Sequence, residues 1–182
     1  MSQTDPRAVA VLGTADGAAA VARDLARAGH EVRAWDRSRT APEPSVVDGV
    51  ALVGSPPATV DDAEIVLTLL DGDAEVLEVM AAAAPGLRAG MAWLQSTTVP
   101  QDAIAGLGTF ARRYGLVLVD APVLDGLEDD AAGTRTVLAA GPPQVRGFVA
   151  PVLDAMAERT LWTGDDAEAG TATLRARRGT AG

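Results

Sequence analysis

The chain has 182 residues with 15 basic and 25 acidic side chains, a net charge of −10, a single histidine and no cysteine. That length suits one domain with a real core. The acidic balance speaks against nucleic acid and anionic membrane as partners, and the missing cysteines exclude disulfides, thiolate catalysis and thiolate metal sites. With His30 alone there is no multi-histidine metal centre. Every basic side chain is arginine, and the sequence holds neither lysine nor asparagine, which closes any mechanism that draws on either from this chain. No apolar run approaches the ~20 residues of a membrane span, and the polar start, residues 1–6, reads as a disordered N-terminus rather than a signal peptide. A cytoplasmic protein is expected.

In chain order, Val9-Ala10-Val11-Leu12-Gly13 predicts a strand, a tight glycine turn and an amphipathic helix, followed by a second strand ending Trp35-Asp36-Arg37. This is the opening unit of a dinucleotide-binding fold: the turn and the helix N-terminus offer backbone N–H groups to a pyrophosphate, and the acid accepts a ribose hydroxyl. Gly13, Thr14 and Ala15 are the phosphate-side candidates. In the glycine pattern Ala15 takes the second position, where a methyl crowds phosphate, and Ala18 the third, where it only sets helix-to-strand packing. Gly17 relieves part of that crowding, whereas Asp16 either caps the helix or repels a phosphate.

Residues 38–47 read as a loop, 49–53 as a short strand and 57–63 as a short helix. Residues 64–70 form an apolar run suited to a central parallel strand. Asp73 is then expected to cap a helix that ends at Pro85 and Gly86. Strands follow at 91–95, 116–120, 134–140 and 160–163, with helices at 101–113 and 143–156 and a basic-ended helix at 167–178. Strands alternating with helices predict an α/β, Rossmann-like, doubly wound and mostly parallel sheet with helices on both faces. The dinucleotide-binding domain spans 7–164, and 165–182 is a C-terminal helix and tail.

These residues resemble the N-terminal domain of the 6-phosphogluconate dehydrogenase and β-hydroxyacid dehydrogenase superfamily, which includes imine reductases. The pieces that carry the likeness are Ala28-Gly29-His30, Trp35-Asp36-Arg37-Ser38, the run to Leu70-Asp71, Ser96-Thr97-Thr98-Val99-Pro100, Asp120-Ala121-Pro122-Val123 and Ala132-Gly133-Thr134. The Leu70-Asp71-Gly72-Asp73 turn leans to the imine reductases and Asp120-Ala121-Pro122-Val123 to the hydroxyacid branch. The resemblance implies NAD(P)H hydride transfer on a small oxo acid, hydroxy acid or imine. It also implies a substrate-holding Ser-Gly-Gly, replaced here by Leu124-Asp125-Gly126, and a catalytic lysine and an asparagine, at positions aligned to Thr173 and Arg177. The family's all-helical second domain, which completes the site by dimerisation, is absent from these 182 residues.

Asp36 is either the ribose acceptor of an NAD site or a solvated strand end. Arg37, Ser38 and Arg39 suit a 2′-phosphate, and the Arg37-Ser38 pair tilts the expectation to NADP over NAD. Leu70, Asp71 and Thr97 are cofactor candidates at strand ends, weighed against ordinary turns. Ser96 and Asp125 are the catalytic candidates, weighed against an ST-turn and a surface loop respectively. An acid in place of Ser-Gly-Gly suggests an amine-bearing ligand. His30 reads as a loop residue and Tyr114 as packing. Two readings stay open: an oxidoreductase whose helical domain is supplied by a partner chain or a homodimer, and a silent or repurposed dinucleotide fold. Exposed apolar surface is expected around Leu124, Leu127 and Leu174.

Overall fold

The structure is a computed structural model that describes residues 5–39, 45–125 and 134–167. In these, β1 (Ala8–Gly13), α1 (Ala15–Arg27) and β2 (Glu31–Asp36) form the predicted opening unit. They are followed by β3 (Ser45–Val47), β4 (Val50–Leu52), α2 (Pro56–Val60), β5 (Ile65–Leu69), α3 (Asp73–Ala83) and a 3-10 turn at Ala84–Gly86. The remainder is β6 (Ala92–Gln95), α4 (Gln101–Tyr114), β7 (Val117–Asp120), β8 (Val123–Asp125), β9 (Arg135–Ala140), α5 (Pro143–Met156) and β10 (Arg159–Gly164).

Among the described residues all ten strands join one sheet in the order β10-β9-β7-β6-β5-β1-β2-β4-β3, with β8 paired to β9. β1 lies between β2 and β5, parallel to both. The strand order therefore reverses at β1, which opens a crevice at the carboxyl ends of β1 and β5, where such sheets bind ligands. Both faces are covered, which explains the unbroken apolar strands. Val9 and Val11 face the core shared with Leu25 of α1 and Leu153 of α5. Ala10 and Leu12 face the core of Val60, Met80 and Leu107 from α2, α3 and α4.

Several expectations differ from the fold. The stretch read as a loop to Val47 ends in β3, because Asp48 and Gly49 both take positive φ, 52° and 82°, and make a two-residue turn that pairs β3 with β4 in antiparallel register. α2 stops at Val60 because Asp61 turns extended and Asp62 is left-handed, φ 59°. Asp73 does not cap α3: Gly72 occupies the cap position, no side chain bonds there, and Asp73 is already helical. β8 was not anticipated; it pairs antiparallel with β9, Val123 opposite Val137 and Asp125 opposite Arg135. With the β3–β4 and β8–β9 pairings, the antiparallel pairing of β7 with β9 through Asp120 and Ala140 makes the sheet mostly rather than wholly parallel. At the start of the described residues, Asp5 pairs with Arg7 at 2.8 Å. Residues 1–4 and the helix expected over 167–178, beyond Ala167, lie outside the described residues.

Gly13 is required by close approach: a Cβ there would collide with the Ala18 methyl and sit 3.1 Å from the Leu69 carbonyl oxygen. The helix thus lies directly on the strand. α4 ends at Gly115, which takes the left-handed conformation at φ 68°.

Candidate functional site: a crevice at the strand reversal

Two backbone hydrogen bonds draw the strand ends together at the crevice. The Thr14 N–H donates to the Leu69 oxygen at 3.0 Å, and the Arg37 N–H to the Gly13 oxygen at 2.9 Å. Thr14 is the N-cap of α1, extended and without a side-chain cap bond. The N–H groups of Ala15, Asp16 and Gly17 have no acceptor within the helix and face its N-terminal end, the arrangement that binds anions. A Cβ built on Gly17 meets nothing within 4 Å. The side chains of Ala15 and Asp16 lie outside the described residues.

In front of this helix end is a cleft of about 400 Å³, the size of a small-molecule site. Its lining includes Gly17 of α1, Leu70 and Asp71 after β5, and Ser96 and Thr97 after β6. The β8–β9 pair contributes Val123 and Arg135. Asp125 stands opposite Arg135 in register, and its side chain lies outside the described residues, as do Gly126, Leu127, Thr173, Leu174 and Arg177. Leu124 is half-buried; among the described residues the large exposed apolar side chains are Val46 and Val47, on β3.

The polar side chains beneath the cleft form a network that sequence reasoning missed. Trp93 Nε1–H donates to Thr68 Oγ1 at 3.0 Å, and Thr68 Oγ1–H to Gln95 Oε1 at 3.1 Å. Gln95 Oε1 also accepts from the Thr97 N–H at 3.1 Å, while Gln95 Nε2 donates to the Thr97 oxygen at 2.6 Å. The Thr97 hydroxyl accepts the Leu70 N–H at 2.9 Å and reaches the Thr68 oxygen at 3.4 Å. The available signal was that Thr68 and Gln95 are polar residues in otherwise apolar strands and pair in register. Thr97 thus faces inward and positions Leu70. Ser96 is 4% exposed, lines the cleft, and its Oγ has no hydrogen-bond partner among the described residues. A buried hydroxyl without a partner costs free energy, and this one lies at the surface of the cleft.

At the other end of the crevice, Asp36 Oδ1 accepts both the Ser38 N–H at 2.8 Å and the Ser38 hydroxyl at 2.6 Å. Arg37 turns to α3: its Nε lies 2.7 Å from Glu75 Oε1, and its Nη2 3.0 Å from Glu78 Oε2. Glu75 Oε2 in turn accepts the Asp71 N–H at 2.8 Å, so one carboxylate links the ends of β2 and β5. His30, away from the crevice and 5% exposed, bridges the Arg7 N–H (3.1 Å) and the Pro151 oxygen (3.3 Å). Among the described residues no three metal-ligating side chains are grouped, and no helix is long and apolar enough to cross a membrane.

A doubly wound sheet with an open crevice at its strand reversal and a free helix N-terminus facing it defines a dinucleotide-binding α/β protein. The sequence profile of the NAD binding domain of 6-phosphogluconate dehydrogenase matches residues 8–164, and the chain belongs to that family. It is 31% identical over 160 residues to a probable 3-hydroxyisobutyrate dehydrogenase of Mycobacterium bovis, covering 86% of this chain and 53% of that protein. A 3-hydroxyisobutyrate dehydrogenase of Mycobacterium tuberculosis, solved with L-serine, superposes with a TM-score of 0.85 at 27% identity, over 97% of this chain and 60% of that one. An imine reductase of Myxococcus stipitatus, solved with NADP+, shares the fold with a TM-score of 0.82 at 18% identity, over 96% and 61% of the two chains. The chain spans about half the length of the curated relatives it matches.

Proposed function

We propose that this chain holds NAD(P)H across the crevice and serves as the cofactor-binding part of a hydride-transfer enzyme of the β-hydroxyacid dehydrogenase and imine reductase type. The observation that carries the reading is the cleft in front of α1, lined by the Ser96 hydroxyl that has no hydrogen-bond partner among the described residues. The N–H groups of Ala15, Asp16 and Gly17 would take the pyrophosphate, Asp36 a ribose hydroxyl, and Leu70, Asp71 and Ser96 the nicotinamide half. The bound cofactor supplies the hydride.

The chain's own residues then orient and protonate. Ser96 Oγ donates to a carbonyl, amide or carboxylate oxygen at the reacting end. The Thr68–Gln95–Thr97 network holds the base of the cleft still, which favours a fixed reacting geometry. No lysine exists in this chain to act as the general acid, so the proton comes from Ser96, Asp125, water or a residue of a second chain. We therefore propose a homodimer or a complex with another chain as the active form, acting on a small oxo acid, hydroxy acid or imine. Asp125 in the place of Ser-Gly-Gly favours an amine-bearing one. A nicotinamide-dependent role goes with a cytoplasmic location, where the cofactor pool lies.

The missing lysine supports a second reading, a dinucleotide fold that binds without redox turnover or has been repurposed. Titration of the purified protein with NADH and NADPH, following nicotinamide fluorescence, tests the first step. Saturable binding of either supports the dinucleotide site, and no binding at millimolar concentration overturns it. Hydride transfer to a panel of oxo acids and imines separates the two readings.

A further inference from the structure

The sequence alone tilts the cofactor to NADP through Arg37 and Ser38, yet in the fold both are already engaged by carboxylates. Arg37 presents its Nε and Nη2 to Glu75 and Glu78 at 2.7 and 3.0 Å. That is one whole edge of the guanidinium, the kind of edge that grips an anion through two parallel hydrogen bonds. The Ser38 hydroxyl donates to Asp36 Oδ1 at 2.6 Å, so it is directed to a carboxylate. Asp36 Oδ2 has no partner among the described residues, and the two Ser38 bonds fix its carboxylate at the tip of β2.

We propose that Glu75 and Glu78 set the cofactor choice to NAD(H) by holding Arg37 against α3; the inference rests on the reading of the crevice as a dinucleotide site. A ribose 2′-hydroxyl meets an acceptor already in place on Asp36. A 2′-phosphate meets that same carboxylate as a like charge, and it has to draw Arg37 away from two others. Arg39 lines the hollow beside Asp36 together with Arg23 of α1, and of these two cations it is the one that follows Arg37 on the same loop.

The test compares dissociation constants for NADH and NADPH in the parent protein, Glu78→Gln, Glu75→Gln, Glu75→Gln/Glu78→Gln and Arg39→Ala. NADH binding tighter than NADPH in the parent is expected. Each single Glu→Gln change should strengthen NADPH binding with NADH nearly unchanged, and the double change should do so by about 3- to 10-fold, the sum of two partly exposed ion pairs. Glu78 is the safer single site, being largely exposed, whereas Glu75 also holds the Asp71 N–H. Competition by 2′-AMP against 5′-AMP reads the same preference without the nicotinamide. An unchanged NADPH to NADH ratio in the double variant overturns the proposal. So does tighter NADPH binding in the parent that is lost in Arg39→Ala, since Arg39 would then hold the phosphate whatever Arg37 does. Failure of both reduced cofactors to bind the parent overturns the dinucleotide reading itself.

Discussion

The Thr97 hydroxyl accepts the Leu70 N–H at 2.9 Å, 27 residues away in sequence, and so fastens the end of β6 to the base of the crevice at the end of β5. Thr97→Val keeps the volume and removes the acceptor, leaving a buried N–H unpaired. The expected loss of stability is about 1–3 kcal/mol, read by urea unfolding. Cofactor affinity should fall in the same variant and recover in Thr97→Ser. Unchanged stability in Thr97→Val would show that the bond is not made in solution.

Ser96→Ala should behave in the opposite way. The Oγ is buried without a partner among the described residues, so its removal relieves rather than breaks an interaction. Stability is expected to stay within about 0.5 kcal/mol of the parent or to rise. Binding of the reduced cofactor or of a carboxylate substrate should weaken by about 3- to 10-fold, the worth of one hydrogen bond. A stability loss with unaltered binding would reassign Ser96 to the scaffold.

Gly13→Ala places a methyl group against the Ala18 methyl and near the Leu69 oxygen. Overpacking of this kind costs about 1–3 kcal/mol and would lift α1 off the strand. A second change, Ala18→Gly, returns the space. In a double-mutant cycle the coupling between the two positions should therefore be favourable and on the order of 1 kcal/mol. Additive effects would place the strain elsewhere, at the Leu69 carbonyl.

His30 ties the start of β1 to α5. With the Arg7 N–H as donor to Nδ1, the ring proton belongs on Nε2, directed to the Pro151 oxygen. His30→Ala opens a buried gap and unpairs the Arg7 N–H, and a loss of about 1–3 kcal/mol is expected in thermal unfolding. Nitrogen chemical shifts of the imidazole should report the Nε2–H tautomer, and the other tautomer would contradict the arrangement.

Much of the fold was legible because its determinants are local. Residues 64–70 read as a buried strand from their own apolar run, and Gly13 with Ala18 reads as a close strand-to-helix contact from spacing alone. The hairpin at Asp48-Gly49 carried a clear turn signal that the proline-containing stretch before it obscured. β8 gave no such signal: Val123–Asp125 is short and takes its partner from β9 across an intervening segment. In the site, Ser96 stands out in the sequence because hydroxyls at a strand end are conspicuous. Gln95 was not, because an amide inside an apolar strand reveals its purpose only when Trp93, Thr68 and Thr97 surround it.

The sequence by itself determined the class of fold, the place of the crevice and the chemistry excluded for want of lysine, asparagine and cysteine, since hydrophobic period, turn residues and composition act over a few residues. Only the tertiary structure decided which polar groups are still free to meet a ligand. Arg37 and Glu78 stand 41 residues apart, and whether a guanidinium faces a phosphate or a carboxylate is settled by which strand end and which helix the folded sheet brings together.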